Sequence, residues 1–131
     1  MIIDTNVLFQ FYFGEDTVHT LDVIGLDIEA PDILKIEFIN VLRKAHYLNH
    51  IPIDTIDKIY VDAISLIKVF YHHNDILKEA KDISFSLNHP IYDCLFLALA
   101  LKLDQPFVSL DRRLLHKAKS IGISTIDFST I

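Results

Sequence analysis

The chain has 131 residues, 51% of them hydrophobic, with three glycines, four prolines, one cysteine and a formal net charge of −6. That length is one domain, 1–131, with enough chain to bury its own core, and the composition excludes a linker or a disordered tail. The longest apolar stretch, around Asp93, is too short to span a bilayer, the N-terminus has no basic n-region, and the lone Cys94 has no internal disulfide partner, so a cytoplasmic protein without a membrane partner is expected.

In chain order, Met1–Asp4 reads as a short buried strand and Thr5–Phe13 as a helix that Gly14 stops. A second short helix is expected over Asp16–Ile24, with Val18 and Leu21 inward, before an extended stretch near Asp27–Ala30. Pro31-Asp32 opens a longer helix to about Leu48, because Pro and Asp are both favoured at helix starts. Pro52-Ile53-Asp54 starts the next, in which Ile56, Ile59, Tyr60, Ala63 and Ile64 keep helical spacing while Asp57, Lys58 and Asp62 take the wet side. Ile67–Tyr71 is β-branched and aromatic, hence a strand. Asn74 is expected to cap a helix with Ile76, Ala80, Ile83 and Leu87 on one face. His89-Pro90 breaks it and opens a helix that is apolar nearly all round, and so must be buried. Phe107–Leu110 is a strand, Asp111–Ile121 a helix ending at Gly122, and Ile123–Ile126 the last strand. Strands separated by helices imply right-handed crossovers and a mostly parallel α/β sheet with helices on both faces.

Four carboxylates interrupt the apolar runs. Asp4 ends Met1-Ile2-Ile3, Glu37 lies inside Ile36–Leu42, Asp93 is the one charge in Ile91–Leu101, and Asp111 closes Phe107–Leu110. Burying an ionised carboxylate without a partner is costly, and these runs offer few basic residues, so a shared divalent cation accounts for all four. Asp4 and Asp111 stand where a strand gives way to a helix, beyond the carboxyl ends of the strands where ligands bind in such sheets. Asp93 falls in the first turn of its helix, whose dipole tolerates a carboxylate. Glu37 is expected to face inward with Asn40 and Val41. Oxygen donors suit Mg²⁺ or Mn²⁺, which lower the pKa of bound water and clamp a phosphodiester. Each acid also has a plainer reading. Asp4 and Asp111 can be helix caps, Asp93 a dipole partner, and Glu37 half of an ion pair with Arg43 or Lys44.

Other chemistries fit less well. The seven histidines form no zinc pattern; His89 and His116 could lie near the site, but a surface or core place is the better expectation, Cys94 is expected in the core, and no glycine-rich phosphate loop exists. The net acidity argues against a nucleic-acid partner, yet Arg43-Lys44 and Arg112, Arg113, Lys117 and Lys119 cluster locally. Arg112 and Arg113 directly follow Asp111 and are candidate substrate contacts. A dehalogenase-like phosphatase would need an acid where Asn6 stands, and a receiver-like phosphoacceptor would need paired acids after the first strand.

The opening Met1-Ile2-Ile3-Asp4-Thr5-Asn6-Val7-Leu8 resembles that of a PIN domain. Glu37-Phe38-Ile39-Asn40-Val41-Leu42 is similar to that family's Glu-x-x-Asn-x-Leu helix. Tyr92-Asp93-Cys94-Leu95-Phe96-Leu97-Ala98 is similar to its Tyr-Asp-Ala helix, and Val108-Ser109-Leu110-Asp111-Arg112-Arg113-Leu114 to its Val-Thr-x-Asp-x-x-Leu strand end. The length resembles stand-alone members of the VapC type. The resemblance implies a three-layer α/β/α sandwich with a mostly parallel sheet of four to five strands. It also implies a Mg²⁺- or Mn²⁺-dependent endoribonuclease, the toxin of a toxin–antitoxin pair, commonly a homodimer and inhibited by a small antitoxin. Asp4, Glu37, Asp93 and Asp111 would be the acidic quartet, with Asn6 and Ser109 as polar supports. Asp4 and Asp93 would hold the metal, and Glu37 and Asp111 would close the site directly or through water. The alternative is a PIN-like module that binds RNA or protein without cutting.

Overall fold

Ile2, Ile3, Phe107 and Val108 have almost no exposed surface, as the centre of a parallel sheet covered on both faces requires. The computed structural model describes residues 1–14 and 27–130. Within them five strands form one all-parallel sheet: β1 (Ile2–Ile3), β2 (Glu29–Pro31), β3 (Val69–Tyr71), β4 (Phe107–Ser109) and β5 (Thr125–Asp127). The spatial order is β3-β2-β1-β4-β5. The chain therefore builds outward from β1 in one direction, then returns to its other side, and the direction reverses between β1 and β4.

The described helices are α1 (Thr5–Phe13), α2 (Ile33–Asn49), α3 (Ile53–Ser65), α4 (Leu77–Leu87), α5 (Ile91–Leu103) and α6 (Arg112–Ser120). They flank the sheet as the outer layers of an α/β/α sandwich. The second helix expected over Asp16–Ile24 lies outside the described residues. Every residue from Cys94 to Ala100 in α5 is buried, because the helix lies against β1, β2 and β4 with α4 packed on it. No helix among the described residues is long and apolar enough to cross a membrane.

One helix start agrees with the sequence expectation and one differs. Asp32 stands at the start of α2 without a side-chain cap; its carboxylate accepts from the backbone N–H of His73 at 3.1 Å. Asn74 does not cap α4, which begins after Ile76. The backbone N–H of Asn74 donates instead to the His72 ring, at the start of a 3₁₀ turn over His73–Asp75. The ends of α2 and α4 fall close to where Leu48 and His89-Pro90 place them, and the end of α5 carries no such signal; all three close on a residue other than glycine in the left-handed conformation, His50, Asn88 and Asp104. Gly122 (φ +89) follows α6, the one described glycine in that conformation.

Candidate active site

The sheet register brings the site together. Ile2 pairs with Phe107 and Ile3 with Val108, so the next residues along, Asp4 just past β1 and Ser109 at the end of β4, meet at the carboxyl edge of the sheet. This is the reversal of strand order, where open parallel sheets leave a crevice. Ser109, wholly buried, donates its hydroxyl to Asp4 Oδ2 at 2.8 Å and accepts the backbone N–H of Asp111 at 3.0 Å. Asn6 spans the same junction: its Nδ2 donates to Asp4 Oδ2 at 3.2 Å and to Ser109 Oγ at 3.3 Å, and its Oδ1 accepts from Leu110 N–H at 3.3 Å. The backbone N–H of Thr5 donates to Asp4 Oδ1 at 2.8 Å. Asp4 is thus both a cap of α1 and a buried carboxylate held by three neutral groups.

Burial dominates the Asp4 carboxyl and pushes it up to about 6; the Ser109 hydroxyl opposes this, while the charge of Asp93 and, more weakly, that of Asp111 add to it. Glu37 on α2 is pushed up to about 7, by burial first and then by the charges of Asp4 and Asp93. Its described hydrogen-bond partner is the Thr5 hydroxyl, at 3.5 Å. Arg43 turns away from Glu37 and donates to Asn40 Oδ1 at 3.0 Å, so the ion-pair reading of Glu37 has no support here. The expectation that Glu37 faces inward with Asn40 is corrected: Asn40 is exposed and Glu37 half-buried. Its apolar neighbours Ile36 and Ile39 are 66% and 53% exposed, and the inward face of α2 is instead Leu34, Phe38 and Leu42.

Asp93 lies in the first turn of α5, half-buried, and its Oδ2 is 2.6 Å from His89 Nε2. His89 Nδ1 in turn is 3.0 Å from Lys117 Nζ on α6. Of the two histidines weighed for a place near the site, His89 is the one found there, against the preferred surface or core placement, and its contacts are what the sequence does not show. His89 stands four residues before Asp93, just ahead of the Pro90 start of α5, where its ring folds back over the first turn, a placement that a pattern search for metal-binding histidines passes over. Cys94 donates to the His89 carbonyl at 3.8 Å, and burial followed by the Asp93 charge pushes its thiol up to about 11, which makes it packing rather than a nucleophile.

Asp111 is exposed and uses one oxygen to cap α6, accepting from the N–H groups of Arg113 and Leu114 at 3.1 Å each. Its charge still reaches Asp4. The basic residues after it diverge. Arg112 pairs with Asp127 on β5 at 3.4 Å and lines a cleft of about 240 Å³ with His116 and Lys119, Lys117 turns to His89, and Arg113 is exposed.

Donor chemistry decides whether a cation fits. Glu37 is a half-buried carboxylate whose described contacts include no cation, set beside two other acids, and oxygen-only donors suit Mg²⁺ or Mn²⁺. No three of the four acids bring ligand oxygens within 4.8 Å of one another, so a small ion here would keep waters between itself and some of them. The described group that does come that close is Asp32, His72 and His73, at the ends of β2 and β3. There the His72 Nδ1 accepts from Asn74 N–H, His73 Nδ1 faces Asp32, and the two rings stack at 4.4 Å. The His72 Nδ1 is thus engaged as a turn cap and the His73 Nδ1 with the Asp32 carboxylate.

Comparison with known proteins agrees with this architecture. The crystal structure of PAE2754 from Pyrobaculum aerophilum superposes with a TM-score of 0.76 at 18% identity, covering 99% of this chain and 96% of that one, which is a likeness of fold. A search of curated proteins returns no significant match. The PIN domain family model matches residues 1–120, spanning Asp4, Glu37, Asp93 and Asp111 alike. A match over that much of the sequence, on this sheet order, shows that the chain belongs to the PIN domain family, whose members are generally metal-dependent nucleases.

Proposed function

We propose that this protein is a Mg²⁺- or Mn²⁺-dependent endoribonuclease, the toxin of a VapC-type toxin–antitoxin pair, with Asp4, Glu37, Asp93 and Asp111 as its catalytic acids. The observation that carries the reading is the state of Asp4 and Glu37: two carboxyls raised by burial and by neighbouring acids, at the point of the sheet where ligands bind. Asp4 and Asp93 would hold the ion, with Glu37 and Asp111 closing the site directly or through water, and Asn6 and Ser109 keeping Asp4 in place. When bound, the ion lowers the pKa of a water and stabilises charge on the phosphodiester. Arg112 and Arg113 sit beside Asp111 and would hold flanking phosphates that the acids repel.

A protein partner is supported by the outer surface of α2. Ile36, Ile39, Tyr47 and Leu48 are exposed there, and a cleft of about 380 Å³ opens between α2 and α3. Apolar groups gathered in this way mark an interaction surface, suited to the antitoxin or to a second copy. An arginine or lysine of the antitoxin entering the acidic crevice would replace the cation's charge and block the site. The test is cleavage of single-stranded RNA by the purified chain with Mg²⁺ or Mn²⁺. Cleavage that chelation stops, together with growth arrest on expression that Asp93→Asn relieves, supports the reading. RNA binding with no cleavage under either ion supports the silent module instead.

A further inference from the structure

His89 is clamped before its ring makes any contact. Asn88 (φ 49) ends α4 in the left-handed conformation and Pro90 begins α5, so His89 stands at the corner between two packed helices. Its N–H donates to the Ser84 carbonyl at 3.1 Å, and its own carbonyl accepts the Ser84 hydroxyl at 2.5 Å and the Cys94 thiol. The ring, largely buried, faces Asp93 Oδ2 with Nε2 and Lys117 Nζ with Nδ1.

The direction of these two hydrogen bonds follows from donor chemistry. A lysine ammonium has three N–H donors and no lone pair, so at 3.0 Å it can only donate, and His89 Nδ1 must accept. The ring hydrogen then sits on Nε2 and points at the carboxylate 2.6 Å away. Any other form of the ring would set an N–H against the ammonium, or a lone pair against Asp93.

We propose that Lys117 locks His89 as its Nε2–H tautomer, and that His89 in this form is a positioning residue for Asp93. It bonds Oδ2 and leaves Oδ1, which no described group bonds, for the crevice. Hydrogen bonds of this kind behind a ligating carboxylate fix its orientation, and losing them typically weakens metal binding about 10–100-fold. The positioning role rests on reading Asp93 as a metal-site acid; the tautomer lock does not.

The test has two parts on the full chain. Two-bond ¹H–¹⁵N correlation spectra of labelled protein report the tautomer, with the His89 signals identified by their loss in His89→Gln. The expected spectrum shows a protonated Nε2 and a bare Nδ1; in Lys117→Met, which keeps the packing stem, Nε2 keeps its hydrogen toward Asp93 while Nδ1 is no longer held bare and carries hydrogen in part of the population. Titration with Mn²⁺, followed by electron spin resonance of the free ion, reads the consequence. His89→Ala and Lys117→Met should weaken binding about tenfold or more. His89→Gln places an amide N–H near the Nε2 position and a carbonyl toward Lys117, and should stay within about threefold, short of that range. An Nδ1–H tautomer in the unmodified protein overturns the lock. Wild-type Mn²⁺ affinity in both His89→Ala and Lys117→Met overturns the positioning role. An unmodified chain that binds no Mn²⁺ defeats the metal-site reading and the positioning role with it, while the spectrum still decides the lock.

Discussion

On one side of the crevice, Asp4 and Glu37 are served by two hydroxyls, an amide and one backbone N–H, and press on each other; on the other, Asp93 has a histidine at 2.6 Å and a lysine behind it. Burial and like charge lift the first pair to about 6 and about 7. The contrast separates two ways of keeping a carboxylate inside a fold. Asp93 is supported by its own chain, whereas Asp4 and Glu37 have no basic partner among their described contacts. Under the proposed function, a cation would complete the β1–α2 side, and the α5 side would hold its acid oriented beforehand.

Removing the charge of either side should cost the most. Asp4→Asn and Asp93→Asn each remove a group that stabilises charge in the transition state through the ion, worth several kcal/mol, so metal-dependent RNA cleavage should fall at least about a hundredfold. Their stabilities should differ. Asp4→Asn relieves a buried, repelled charge and should raise the unfolding free energy of metal-free protein at pH 8, by at most about 3 kcal/mol from the lift of Asp4 toward 6. Asp93→Asn unbalances the His89 contact and should not stabilise. Equal changes in the two variants, measured by urea unfolding, would erase the distinction between the sides.

Acidity sharpens the same comparison. Because Asp4 and Glu37 bind protons more readily folded than unfolded, the native state holds more protons between about pH 4 and 7. Stability without metal therefore declines as pH rises through that window, and the full penalty is present above about 7. Bound cation offsets it, so the Tm gain from Mn²⁺ should be larger at pH 8 than at pH 5.5. A gain that is level across that range would remove Asp4 and Glu37 from the ion's surroundings.

Ser109→Ala is a smaller perturbation. It strips the hydroxyl from Asp4 and leaves the Asp111 N–H without its partner, a loss of about 1–3 kcal/mol in stability by chemical denaturation, which Ser109→Thr should avoid. The smallest effect is expected at the rim. Replacing Arg112 and Arg113 together with alanine should lower the salt slope of single-strand RNA binding by about 0.7 for each of the two side chains that holds a phosphate. Since Arg112 already pairs with Asp127, a single such step assigns the role to Arg113.

The sheet was legible because strong local signals agree. Ile2-Ile3 and Phe107-Val108 are apolar runs cut off by acids, and α5 is apolar on every side, which only a central position explains. Topology then followed from strands alternating with helices. The site was readable as a set of residue types but not as contacts. Glu37 looked buried because isoleucines flank it, yet these point outward, and its environment comes from Thr5 and Asp4 across the sheet end. His89 looks ordinary in sequence because its partners are an acid four residues later and a lysine 28 residues on, and only the fold, which sets α6 against β4 and β5, brings that lysine to it. Arg112 and Asp127, distant in sequence, meet because β4 and β5 pair Ser109 with Asp127.

Proton release on metal binding tests the central claim most directly, that Asp4 and Glu37 are completed by a divalent cation. Calorimetric titration of the chain with Mn²⁺ at pH 6.5, in buffers of different ionisation enthalpy, counts the protons displaced. Saturable binding is predicted, with protons released at pH 6.5, few released at pH 8.5, and both binding and release lost when Asp4→Asn and Glu37→Gln are combined. Absence of binding, or binding that displaces no protons at pH 6.5 and survives in the double variant, would contradict the account.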